Sequence, residues 1–162
     1  MALSFGAYVI RRPEELATDD ATTGSVLLHA LEWLEPDAFD MVVCLHPTSP
    51  IRDPRHIDDA IELLASTPGW NVVASVYELP RKTHNNIGTF DIWNEPRWVG
   101  KEGPYYILNA SIYCMTKTWL KQSGEHVAPW CVPFIMDRRH SLDIDDEIDF
   151  KIAELLLNGT HS

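Results

Sequence analysis

The sequence predicts an α/β fold, in which helices cover a partly parallel sheet. Three observations carry this reading. The run at 41–45 is apolar throughout, without polar alternation, which marks a strand covered on both faces. A helical period follows, with Ile57, Ala60, Ile61 and Leu64 on one stripe behind a cap at Asp53 and a proline at the first helical position, Pro54. A second, β-branched run at 71–77 then completes strand, helix and strand, the order that sets two strands parallel.

The other elements follow in chain order. Residues 7–10 read as a short strand. From 22 to 34 the apolar residues Val26, Leu27, Ala30, Leu31 and Leu34 recur at helical spacing, with 18–20 offering caps and Pro36 stopping the run. After Pro80 the texture changes. The stretch 81–104 has no helical period, and Trp93 and Trp98 sit among Gly, Asn and Pro, so a β excursion with a hairpin or two is expected there, placed at an interface. A further strand is expected at 105–115, a short helix at 117–122 and a last strand at 132–136. Asp145 or Asp146 caps a final helix whose buried face is Ile148, Ile152, Leu155 and Leu156, with Gly159 at its end.

The 162 residues suffice for one domain with its own core, and 1–162 is read as a single unit. Apolar residues make up 45% and charged residues 23%, the balance of an ordered globular chain. Acidic residues outnumber basic ones 24 to 13, a net charge of −11. That field repels phosphate backbones and anionic lipid heads, which argues against nucleic acid and membrane surfaces as partners. It leaves an anionic small substrate open, since a metal ion or a few local cations can reverse the sign inside one pocket. No apolar run approaches the roughly 20 residues that cross a bilayer. At the N-terminus Arg11 and Arg12 follow the apolar stretch instead of preceding it, unlike a secretory signal. Cys44, Cys114 and Cys131 are odd in number and widely spaced, so they read as reduced, mostly buried residues of a cytoplasmic protein.

Ligands of α/β sheets bind at the carboxyl ends of the strands, and two segments sit at such ends. The first is the loop 46–52, stiffened by Pro47 and Pro50, with the imidazole of His46, the hydroxyls of Thr48 and Ser49, and a cation at Arg52. It reads either as a binding loop or as a rigid turn with an ordinary cap. The second is 141–150. In an extended segment residues two apart share a side, so Asp143 and Asp145 would present two carboxylates together while Leu142 and Ile144 face the core. Such a pair suits a hard divalent cation that also holds substrate phosphates. The other reading is an acidic helix start that favours the helix dipole. No glycine-rich dinucleotide or P-loop motif, no H-E-x-x-H and no G-x-S-x-G occurs. Of the seven scattered histidines, only His46 lies in a candidate loop.

Four stretches, in this order, resemble the N-acylneuraminate cytidylyltransferase family, the CMP-sialic acid synthetases. They are Arg12-Pro13-Glu14-Glu15-Leu16-Ala17 with the following 19–23; Cys44-Leu45-His46-Pro47-Thr48-Ser49-Pro50-Ile51-Arg52; Leu108-Asn109-Ala110-Ser111-Ile112-Tyr113; and Ser141-Leu142-Asp143-Ile144-Asp145-Asp146-Glu147-Ile148-Asp149-Phe150. The resemblance implies a Rossmann-like three-layer sandwich of the nucleotide-diphospho-sugar transferase type. It also implies transfer of CMP from CTP to the anomeric hydroxyl of a sialic-like nine-carbon sugar acid, with Mg²⁺ and release of pyrophosphate. Asp143 and Asp145 match the metal-holding aspartates, and Asn109 and Tyr113 fall in the segment lining the sugar pocket. Lys82 follows a proline as a family lysine near that pocket does. His46 stands where the family usually has a glutamine that contacts the sugar, and Ile107 near a position often held by arginine.

Family enzymes open with a strand and a basic, glycine-rich phosphate loop, whereas 1–10 contains no basic residue and a single glycine. The expectation is therefore an N-terminally truncated sheet lacking its first strands, with weak Mg²⁺ binding and no CTP turnover by the chain alone. An alternative is a non-catalytic sugar- or nucleotide-binding or interaction protein on the same scaffold. The open edge of the 41–45 strand predicts a homodimer or larger assembly.

Overall fold

The computed structural model describes residues 2–34, 39–79, 89–90, 96–97 and 106–159. Its framework is a four-stranded sheet of β1 (Met41–Cys44), β5 (Tyr106–Thr116), β2 (Val72–Glu78) and β6 (Val132–Met136), in that spatial order. β5 runs antiparallel to both β1 and β2, and β2 runs parallel to β6. β1 and β2 are thus parallel to one another, as the strand–helix–strand pattern predicts, but β5 is inserted between them. The two-residue strands β3 (Thr89–Phe90) and β4 (Pro96–Arg97) pair as a separate antiparallel ribbon, the hairpin expected of the excursion. Trp93, Trp98 and Lys82 lie outside the described residues.

Strand alternation divides the core between two faces. On one, Cys44, Val72, Ala74, Tyr113 and Met115 pack with Leu31 of α1 (Thr23–Trp33) and Leu120 of α3 (Lys117–Ser123). On the other, Val73, Ile112 and Cys114 pack with Ala60 and Leu64 of α2 (Pro54–Ala65). Helices on both faces of a mixed sheet make the three-layer sandwich. The cysteines are free, Cys44 and Cys114 being buried and Cys131 half-buried. Among the described residues no helix is long and apolar enough to cross a membrane.

Local chemistry fixes the helix starts. The Thr22 hydroxyl accepts from Ser25 N, so the α1 cap lies just after the 18–20 stretch. Asp53 caps α2, and His56 returns the favour by accepting from Asp53 N. Asp146, and not Asp145, caps α4 (Glu147–Asn158), accepting from Ile148 N and Asp149 N.

Three expectations are corrected. Residues 7–10 form no strand, and Tyr8 and Val9 are exposed. Leu45 lies beyond β1 and is exposed, so two-sided cover ends at Cys44. The buried stripe of α4 is turned by one residue, about 100° on a helix. Ala153 is buried with Asp149 and Leu156 half-buried, whereas Ile148 is 67% and Leu155 73% exposed.

Candidate functional site

The site lies where the carboxyl ends of β1, β2 and β6 meet the middle of β5. At its centre is an irregularity in β5. Between Ala74 and Val76 of β2 the partner jumps from Tyr113 to Leu108, so 109–112 bulge opposite Ser75. Ala110 adopts φ 56°, a left-handed conformation that costs a residue with a Cβ about 1–2 kcal/mol.

Side chains meet the groups that the bulge leaves unpaired. Ser75 Oγ accepts from Ile112 N at 2.7 Å and donates to Asn109 Oδ1 at 2.5 Å, which also accepts from Ser111 N. Asn109 Nδ2 donates to Ser141 Oγ at 2.8 Å and lies 3.6 Å from Met136 Sδ. Asn109 is only 3% exposed, and its whole amide ties β5 to β2, β6 and the turn after β6. It braces the bulge.

The loop 46–52 is closed from within. Arg52 Nη2 donates to the carbonyls of His46 and Ser49 at 2.5 and 2.6 Å, and its Nε to Ser49 O at 2.9 Å. The cation read from the sequence thus braces the loop carbonyls through Nε and Nη2. Thr48 is exposed, and its carbonyl accepts from Ile144 N at 2.9 Å, stitching the loop to the aspartate segment. Ser49 is fully buried, with Oγ 3.3 Å from Asp143 Oδ1 and 3.4 Å from Asn109 O. One hydroxyl therefore joins the loop, the bulge and the aspartate.

Asp143 is half-buried and Asp145 exposed, the latter's N–H donating to Asp149 Oδ2. Among the described residues no group of three or more His, Cys, Asp or Glu gathers as a metal site. Two carboxylates on a non-helical segment are hard oxygen donors, and they fit a cation that keeps water and phosphate in its remaining positions, as Mg²⁺ does.

His46 is half-buried, its ring 5.5 Å from Tyr113 and 6.1 Å from His126, nearly stacked on the latter. Burial, with the nearby Cys44, Asp143 and Cys131, pushes the Tyr113 hydroxyl up to about 12, so it stays a neutral phenol. Beside His46 an open cavity of about 310 Å³ is lined by Arg12, Thr23, Cys44 and Pro47, bringing the first of the four sequence stretches to the second. His126 is the residue sequence reasoning missed, and no motif or spacing set it apart from the other histidines. Of the candidates, His46, Thr48, Ser49, Arg52, Asn109, Tyr113 and Asp143 converge, Asp145 is exposed with its backbone tied to Asp149, and Lys82 is not described.

No protein-family model matches the chain. Among curated proteins it is 31% identical over 162 residues to an N-acylneuraminate cytidylyltransferase of Escherichia coli, covering 94% of this chain and 38% of that protein. It is 30% identical over 169 residues to a CMP-N,N'-diacetyllegionaminic acid synthase of Legionella pneumophila, covering 97% of this chain and 72% of the relative. A post-translational flagellin modification protein B of Campylobacter coli is 28% identical, with 97% and 71% covered. The chain thus spans well under half of the Escherichia coli relative and about seven-tenths of the other two. Similarity of this extent, over 97% of this chain and 72% of the Legionella pneumophila relative, places the chain in the family of N-acylneuraminate cytidylyltransferases and CMP-N,N'-diacetyllegionaminic acid synthases.

Proposed function

We propose that this chain provides the sugar-acid and metal side of a cytidylyl transfer from CTP to a sialic- or legionaminic-like nine-carbon acid. The observation that supports it most is the buried Ser49 hydroxyl, which holds Asp143 against the loop and bulge at the carboxyl ends of the strands. In the reaction the anomeric hydroxyl oxygen attacks the α-phosphorus, pyrophosphate leaves and the hydroxyl proton is released. Such a reaction demands alignment and charge neutralisation more than covalent chemistry.

Asp143 and Asp145 would hold Mg²⁺, which supplies positive charge to the phosphates when bound. Ser49 fixes the direction of Asp143, while Arg52 and Asn109 hold the loop and bulge in place. His46 and Tyr113 face the sugar, and Arg12 offers a cation at the neighbouring cavity. The working form is a homodimer or larger assembly.

Calorimetry with CTP, CMP and N-acetylneuraminic acid, each with and without Mg²⁺, tests this. We expect sugar-acid binding without metal, and nucleotide binding that needs Mg²⁺ and is lost in the double variant Asp143→Asn, Asp145→Asn. Metal-independent nucleotide binding, or no affinity for the acid, would overturn the reading.

A further inference from the structure

We infer that His126 is a sugar-acid contact, presenting its Nε2–H to a ligand oxygen as a neutral donor beside His46. This deepens the proposed reading and rests on it. His126 lies between α3 and β6, far in sequence from the other site residues. The fold nonetheless brings its ring 5.0 Å from Tyr113, edge-on at 80°, and nearly parallel to His46. Three rings thus form one wall above the end of β1.

The ring's environment fixes its proton. Nδ1 is buried without any hydrogen-bond partner, while Nε2 is not among the buried, unpartnered atoms. A proton on Nδ1 would leave a buried N–H with no protein acceptor, the costlier of the two orphan states. The proton therefore belongs on Nε2. The imidazolium, which needs protons on both nitrogens, is disfavoured for the same reason. Burial first, and His46 second, lower the pKa of His126 in agreement, with Glu125 opposing.

The chemistry of the wall follows by elimination among its neighbours. The Asn109 amide is consumed by Ser75, Ser111 and Ser141, and Nε and Nη2 of Arg52 by two carbonyls. Asn109 has no donor left for a ligand, and Arg52 has none on Nε or Nη2. An Nε2–H held by two packed rings is such a donor, and its natural partners are the hydroxyl and acylamido oxygens with which a nine-carbon sugar acid is studded. A neutral donor reads these without competing for the ligand's carboxylate.

Side-chain geometry supplies the test. The amide nitrogen of Gln reaches about as far as Nε2, whereas Phe keeps the ring packing and removes both nitrogens. The 162-residue chain is titrated with N-acetylneuraminic acid and with N,N'-diacetyllegionaminic acid. We expect His126→Phe to bind about fivefold to tenfold more weakly, and His126→Gln to stay within about twofold, as loss and retention of one neutral hydrogen bond predict. Long-range ¹H–¹⁵N spectra of the unsubstituted chain should show a single ring proton on Nε2 at neutral pH. Undiminished binding by the Phe variant, or a proton on Nδ1, would overturn the role of His126 while leaving the sugar-acid reading intact. No binding of either acid by the unsubstituted chain overturns both.

Discussion

At the scale of single residues, the interior stores its titratable groups as neutral species. Burial pushes the Cys114 thiol up to about 11 from an ordinary 9.0, and Tyr113 up to about 12 from 10.0. In the folded chain both keep protons that the unfolded chain has released. Their contribution is complete below about pH 8.5 and is lost as pH rises from about 9 to about 12. Two units for each group correspond to about 2–3 kcal/mol apiece. Urea midpoints measured from pH 8 to pH 11.5 should fall accordingly, and Tyr113→Phe should flatten the upper part of that fall. An identical decline in the Phe variant would remove Tyr113 from the account. Residue identity was also where the sequence was most informative about the site: the loop 46–52 and Asp143 were legible because their types and order are unusual. The commitment of Arg52 to carbonyls three and six residues back depends on how the loop turns, and that of Asn109 was hidden because hydrogen-bond partners 32 to 34 residues apart leave no trace in local pattern. His126 was invisible for the same reason.

At the scale of elements, the fold is held in register by close approaches that a helical period does not reveal. Gly24, in the first turn of α1, is buried against the left-handed turn that ends α3. A Cβ there would stand 1.8 Å from the Gly124 carbonyl oxygen. That atom is backbone and cannot swing aside. Propensity alone would make Gly24→Ala favourable by about 1 kcal/mol in a helix interior. Overpacking against fixed backbone opposes it by about 1–3 kcal/mol or more. The clash wins, so we expect net destabilisation by at least about 1 kcal/mol in chemical denaturation; unchanged or raised stability would show that α1 is not seated as described. The same distinction explains what was legible in the elements. α2 was predicted almost to the residue because its cap, proline and apolar stripe all agree. α4 was located but turned by about 100°, because apolar residues occupy more than one of its faces and period alone cannot choose among them.

At the scale of the whole molecule, α4 and β1 carry apolar surface that the other described residues leave uncovered. Ile148, Ile152 and Leu155 form an outward stripe at helical spacing, and Phe150 and Leu157 are exposed on the far flank of the same helix. β1 pairs on one side only among the described residues, and Phe39, Met41 and Val42 border an open cavity of about 200 Å³ next to it. Exposed edges and contiguous apolar patches of this kind mark association surfaces. The natural occupant is a second copy, since a twofold interface lets one stripe meet itself. Opposing this is a net charge of −11 on each chain, which raises the cost of bringing copies together and is screened by salt over about 10 Å at 0.1 M. Apolar burial prevails once that field is screened, so dimers should strengthen with salt, the reverse of an interface built on opposite charges. Light scattering at micromolar concentration should therefore give the mass of two copies at 0.5 M salt and a lower average mass at low salt. Leu155→Glu, at a position 73% exposed, should shift the average towards one copy with little change in thermal stability. A dimer that survives that substitution moves the contact to the β1 edge, and a sharp monomer mass at every salt concentration would overturn the assembly altogether.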